Sequence, residues 1–223
     1  MGSTCSARLS VSGFNAGGDW CGSPATNIIL PASESERATK GSSIKYIQHL
    51  RTSGAVMSSS SFLVDRLVRG VDFSTATAIA EFGIGNGCVT RELLRRMRPD
   101  ARLISLEINP AFVEDGRKIR DARLTVRQAC AMTLPTVLEE EGVESVDAVV
   151  SSLPLAIMND DVVDRLLEAV HQSLVPEGRF LQYQYGLSQR RRLSRRFDDV
   201  EVGFTLFNMP PAFVYGCTRQ ATG

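Results

Sequence analysis

The 223-residue chain predicts a doubly wound α/β fold: a mostly parallel, seven-stranded sheet with helices ahead of it. Three observations carry that prediction. From residue 77 onward, short apolar β-type runs alternate with amphipathic helical ones. The first run, Ala78-Ile-Ala-Glu81-Phe, opens into glycines at 83, 85 and 87, and a helical pattern (Val89, Leu93, Leu94, Met97) follows at once. The second, Arg102-Leu-Ile-Ser-Leu106-Glu107, ends in a carboxylate.

Each element has its own warrant. Ile44, Ile47 and Leu50, interleaved with Lys45, Gln48 and Arg51, give a short amphipathic helix. Thr52–Met57 breaks it, and 58–68 reads as a second helix. Strands are predicted at 77–82, 102–107, 123–128, 146–151, 178–185, 200–207 and 212–219. Helices fill 87–97, 110–120, 133–141, 160–173 and 187–196. Asn109-Pro110 suits the start of the second of these, because proline is tolerated early in a helix. Alternation of this kind makes a parallel sheet covered on both faces, and the last two strands close it. Ligands of such sheets bind at the carboxyl ends of the strands, where Glu81 and Glu107 fall.

Composition narrows the function. With 43% hydrophobic residues there is material for one core, and the length allows one domain or slightly more. Lys+Arg and Asp+Glu both number 25, so no global field steers the chain to nucleic acid. The five cysteines (Cys5, Cys21, Cys88, Cys130, Cys217) show no Cys-x-x-Cys spacing, and there are two histidines. A disulfide framework and a metal site are not expected, and a reducing compartment is favoured. No apolar stretch approaches the roughly 20 residues of a membrane-spanning helix. Residues 1–43, rich in Ser, Gly, Asn and Thr, read as a flexible extension ahead of a domain at 44–223. Met1-Gly2-Ser-Thr-Cys5-Ser6 fits the loose N-myristoylation pattern. His49 and His171 read as structural.

The glycine turn is the first candidate site. Glycines let the backbone bend tightly and approach a ligand, with amides and a helix N-terminus facing it. A dinucleotide fingerprint would want its third glycine at Cys88, one residue later than it stands. Glu107, twenty residues after Gly87, suits the hydroxyls of a ribose, which a dinucleotide or an adenosyl methyl donor would each supply. Glu81-x-Gly83-x-Gly85-x-Gly87 with Glu107 resembles motif I and its following acid in class I S-adenosylmethionine-dependent methyltransferases, which have a Rossmann-like fold. That resemblance implies a donor site of Glu81, Gly83, Ile84, Gly85, Asn86, Gly87, Glu107 and Ile108.

Further segments resemble one family specifically. Gly54-Ala55-Val56 and Phe62-Leu63 precede motif I, and Ser151-Ser152-Leu153-Pro154-Leu155 ends the fourth strand. Gln182-Tyr183-Gln184-Tyr185-Gly186 and Asn208-Met-Pro210-Pro211 follow. Over about residues 44–219 these are similar to the bacterial phospholipid N-methyltransferases, which convert phosphatidylethanolamine stepwise to phosphatidylcholine. The resemblance implies S-adenosylmethionine as cofactor, an amine-bearing phospholipid as substrate, no nucleic acid, and a cytoplasmic enzyme peripherally associated with the inner membrane surface. Gln128-Ala129-Cys130-Ala131 falls where that family has Gln-Gly-Asp-Ala, so Cys130 takes the place of the acid that approaches adenine, and cysteine is a weak hydrogen-bond partner.

The Ser-Ser-Leu-Pro turn parallels the Asn/Asp-Pro-Pro-aromatic loop that clamps a flipped base in nucleic-acid amine methyltransferases. Leu153 and Leu155, either side of Pro154, replace the aromatic clamp and suit an aliphatic amine better than a nucleobase. Ser151 and Ser152 can offer acceptors to the donor or the amine. Tyr185 is expected to orient the amine, with Tyr183 behind it and aromatic faces tolerating its positive charge. Arg190-Arg191-Arg192-Leu-Ser-Arg195-Arg196 reads as a phosphate contact on an anionic lipid surface, or as a solvated helix face. Alternatives are an rRNA adenine dimethyltransferase-like enzyme and a catalytically silent cofactor- or lipid-binding module. Oligomeric state, headgroup and number of methyl transfers are not legible.

Overall fold

The computed structural model describes residues 60–220. The readings placed on 1–59, including the 43/44 boundary, the acylation pattern, the helix around Ile44–Leu50, Gly54–Val56, Cys5, Cys21 and His49, lie outside the described residues. Helix α1 (Ser61–Val68) leads, with the Ser60 hydroxyl capping it by accepting from the Leu63 amide at 3.1 Å. Then follow β1 (Ala78–Phe82), α2 (Cys88–Arg96), β2 (Arg102–Glu107), α3 (Pro110–Arg117), β3 (Leu124–Gln128), α4 (Leu134–Glu140) and β4 (Val146–Ser151). The chain closes with α5 (Asp160–Ser173), β5 (Leu174–Gln184), α6 (Arg190–Arg196), β6 (Asp199–Thr205) and β7 (Ala212–Thr218).

The seven strands lie in the order β3-β2-β1-β4-β5-β7-β6. β7 alone among them runs against its neighbours β5 and β6; the pairs among β1 to β5 are parallel. The predicted doubly wound sheet is therefore present. The strand order switches between β1 and β4, successive connections running outward to opposite sides, and this is where an open α/β sheet leaves a crevice for a ligand.

Central strands are buried on both faces, as a helix-covered parallel sheet requires. All five residues of β1 are buried, and so are five of six in β2. Alternate residues feed opposite layers. Ala80, Phe82, Ile104 and Leu106 join Leu134, Leu138, Leu166 and Phe180 beneath α4, α5 and α6. Ile79, Leu103, Val150 and Leu181 join Leu63, Leu67, Leu93 and Leu94 beneath α1 and α2.

Among the strands, two boundaries depart from the predicted ones by more than one residue. β5 starts at Leu174, four residues early, because Leu174 pairs with Val146 before the register slips to Ala148–Arg179. The slip accommodates Pro176-Glu177-Gly178, with Glu177 at φ 63° and its amide donating to the Arg219 carbonyl at 2.7 Å. β6 stops at Thr205, and 206–211 form the hairpin connection to β7.

Phe180 is fully buried and stacks on Phe197 with ring centroids 5.6 Å apart, uniting sheet and helical layer. Phe180→Ala should lower the unfolding free energy by about 3–5 kcal/mol, read from urea denaturation.

Candidate functional site

The loops after β1, β2, β3 and β4 converge at one end of the sheet. Gly83, Gly85 and Gly87 have φ of 81°, 49° and 74°, a region that side-chain-bearing residues avoid. A Cβ on Gly83 would stand 2.8 Å from the Ser152 hydroxyl, so this loop passes tightly beneath the turn after β4. Above Gly85 there is nothing within 4 Å. The middle glycine faces open space while its neighbours are packed.

Hydrogen bonds lock the loop in that shape. The Gly83 amide donates to the Leu106 carbonyl at 2.9 Å, and the Gly87 amide to the Ile84 carbonyl at 2.8 Å. Ser152 donates its hydroxyl to the Gly83 carbonyl at 2.9 Å and its amide to the Phe82 carbonyl at 3.1 Å. Ile84 is buried and packs toward Gly116 of α3, where only a glycine leaves it room. Asn86 is exposed at the loop apex and accepts from the Cys88 amide at 3.2 Å. Gly87, the N-cap of α2, brings no side chain to that helix end.

The two acids stand differently. Glu81 is 1% exposed, and its carboxylate accepts from the Thr90 hydroxyl at 2.8 Å and the Ser105 hydroxyl at 2.8 Å. It lies under the loop, tying β1 to α2 and β2, rather than facing a ligand as the sequence suggested. Burial pushes its pKa up to about 7 against the lowering effect of both hydroxyls, and the Glu107 charge adds to the rise. Glu107 sits at the end of β2, accepting from the Asn109 amide at 2.9 Å and from the Gly85 amide at 3.4 Å. It is thereby aimed across the space above Gly85. Ile108 beyond it is exposed.

After β3, Cys130 and Ala131 are buried, and the Cys130 carbonyl accepts from the Thr133 amide at 2.9 Å to start a short 3-10 turn. After β4, Ser151 is fully buried, its hydroxyl accepting from the Leu153 amide at 3.3 Å. Its expected contact with an amine is corrected on that ground: enclosed as it is, Ser151 shapes the turn. The Leu153 carbonyl receives the side-chain amides of Gln182 and Gln184, each at 2.9 Å. These two buried glutamines clamp the Leu153-Pro154 turn to β5, a role the sequence reading missed.

Tyr183 is half-buried against the α1–α2 layer, and Tyr185 continues past it, edge-on, with centroids 5.9 Å apart. Tyr185 is 43% exposed at the mouth, and burial of its remaining surface, with Tyr183 beside it, pushes the phenol up to about 12. Asn208 of the β6–β7 connection partly offsets that rise, an influence the sequence did not signal. The arginine run divides. Arg192 bridges Asp160 at 3.0 Å and Asp164 at 3.4 Å on α5, and Arg196 pairs with Glu168. These two hold α6 in place, whereas Arg190, Arg191 and Arg195 are exposed and form no ion pair among the described residues. His171 packs its ring 5.9 Å from Phe197 in the last turn of α5, at the opposite end of the sheet. Among the described residues no cluster of potential metal ligands occurs.

A family model described as a methyltransferase domain matches residues 79–178, the span from β1 into β5. An ornithine lipid N-methyltransferase of Singulisphaera acidiphila is 32% identical over 179 residues, covering 78% of this chain and 92% of the relative. The chain belongs to the class I S-adenosylmethionine-dependent methyltransferases. Solved structures agree on the fold. The precorrin-6y C5,15-methyltransferase of Geobacter metallireducens superposes with TM-score 0.56 at 17% identity, over 71% of this chain and 88% of that one. The N-methyltransferase NodS of Bradyrhizobium japonicum, in complex with S-adenosyl-L-homocysteine, gives 0.55 at 14% identity over 71% and 86%. The methyl donor of this enzyme is accordingly S-adenosylmethionine.

The residues present fit that donor. A carboxylate steered by two amides, open space over a left-handed glycine and an exposed Ile108 together offer a ribose acceptor, backbone proximity and an apolar face.

Glu81 makes stability depend on pH. A carboxyl whose pKa rises from 4.5 in the unfolded chain to about 7 in the fold binds more protons folded than unfolded between those values. Stability from this group is full below pH 4.5 and falls as pH climbs toward 7. Relative to Glu81→Gln, the wild type should lose about 3 kcal/mol across that window, measured by denaturant unfolding at several pH values.

Proposed function

We propose that this methyltransferase transfers methyl groups to the amino headgroup of a lipid, phosphatidylethanolamine-like or ornithine-like, at a membrane surface. The observation that carries the reading is the identity with the ornithine lipid N-methyltransferase, extending over 92% of that relative. The turn after β4 supports it, because Leu153 and Leu155 replace the stacking aromatic of base methyltransferases. A net charge of zero fits a substrate other than nucleic acid. No helix among the described residues is long and apolar enough to cross a membrane.

When bound, S-adenosylmethionine supplies an electrophilic methyl on its sulfonium. In this reading Glu107 would accept from the donor's ribose hydroxyls, and the Gly83–Gly87 backbone, Ile108 and Ala131 would complete the residues that hold it. Glu81 holds the loop through Thr90 and Ser105. The chain's remaining task is to align a neutral amine. A primary ammonium has a pKa of about 10, taking lysine as the stand-in. Burial against Leu153 and Pro154 disfavours its charged form. Tyr185, kept neutral by its raised pKa, can accept from the amine N–H and present an aromatic edge and face to the methylated product. Orientation of this kind is worth about 7–11 kcal/mol at best by intramolecular analogy.

Donor carrying a labelled methyl, incubated with detergent-dispersed phosphatidylethanolamine or an ornithine lipid, should label the lipid extract. Label entering RNA instead would overturn the proposal. Glu107→Ala should weaken donor binding about 100-fold by calorimetry, the loss of two hydrogen bonds to a charged acceptor. Tyr185→Phe should leave donor affinity unchanged and lower kcat on the lipid about tenfold.

A further inference from the structure

Residues 202–218 contain no charged side chain, and neither do 180–189. Together they form one edge of the sheet. Because β7 runs antiparallel to both β5 and β6, β6 runs parallel to β5, and the 206–211 connection lies at the strand ends where the donor site is built. There Leu206, Phe207 and Met209 are 68%, 71% and 70% exposed. Phe207 leans on the equally outlying Phe62, ring centroids 5.1 Å apart, and Leu187 continues the exposed apolar surface toward Tyr185 at the mouth.

This tip is held out. Asn208 is 8% exposed, donates to the Pro210 carbonyl at 2.7 Å and accepts from the Ser60 amide at 3.1 Å. Ser60 donates its hydroxyl to the Phe207 carbonyl at 2.5 Å. The polar groups of the connection are satisfied inward while three large apolar side chains point away from the core. Folded proteins seldom leave such a cluster in water unless something covers it.

We propose that the 206–209 tip inserts into the acyl-chain region of a lipid bilayer and seats the mouth of the methyltransferase site on the membrane. The proposal rests on the lipid-substrate reading above and adds the element that reaches the lipid. Charge favours a bilayer as occupant. The uncharged span suits hydrocarbon, and exposed Arg190 and Arg191, at the start of α6 and at this same end, suit anionic headgroups. The arginine-rich helix alone is a poorer anchor, since Arg192 and Arg196 are already engaged by α5.

The test uses the full chain and vesicles of phosphatidylcholine with phosphatidylglycerol. Trp20 is the only tryptophan, so W20F/F207W places a single reporter at the tip. Its emission should shift to the blue on vesicles and be quenched by acyl-brominated lipid. L206S/F207S/M209S should partition onto vesicles at least about tenfold more weakly, with donor affinity by calorimetry and turnover on detergent-dispersed lipid unchanged. A tip reporter blind to vesicles, together with wild-type partitioning of the triple variant, would overturn the proposal. So would loss of self-association in the triple variant, which would assign the patch to a second copy of the chain. Insertion is read without turnover: a protein that inserts its tip but methylates no lipid would refute the substrate reading and leave the tip assignment standing.

Discussion

The carboxylate of Glu81, enclosed and bound by two hydroxyls, joins β1, α2 and β2 at a single point beneath the glycine loop. Every other feature of the site is placed relative to that joint. With Thr90 held to Glu81, α2 starts where Gly87 can cap it from a left-handed conformation. With Ser105 held, β2 ends at a height that puts Glu107 opposite Gly85. A buried acid is an expensive way to join three elements, since desolvation opposes its charge. Its hydrogen bonds impose a geometry that an apolar contact would leave loose, which is a physical reason for a carboxylate to stand in an otherwise apolar strand.

A second joint completes the site from the other side of the sheet reversal. Ser152 ties the turn after β4 to the Gly83 loop, and Gln182 and Gln184 hold the same turn to β5. The glycine loop and β5 are thus connected through Leu153 and its neighbours. Tyr185 stands just beyond the end of β5, exposed. Beyond it the β6–β7 connection extends the same apolar surface away from the protein.

Much of this was legible in the residues. The alternation of apolar runs gave the strand and helix order, and the acid-glycine spacing marked the end of the sheet where the glycine loop and Glu107 meet. What the spacing could not separate was an acid facing the ligand from an acid under it. Glu81 and Glu107 look alike in sequence and differ in which side of the loop each occupies. One signal was present: Ser105 is polar in the middle of Leu-Ile-Ser-Leu, a fully buried run, and needed a partner. The division of the arginine run was hidden for a related reason, since which of five arginines meets α5 depends on helix phase and packing. The exposed tip was hidden too. In sequence, Leu206-Phe207 reads as strand, and only the early end of β6 at Thr205 turns it outward.

We place the donor at the ends of β1 and β2, and amide NMR tests that placement. Titration with S-adenosyl-L-homocysteine should shift the backbone amides of Gly83 to Gly87, Ile108 and Ala131, and leave β6 and the far end of α5 unmoved. Shifts confined to other surfaces, or none at saturating ligand, would contradict it.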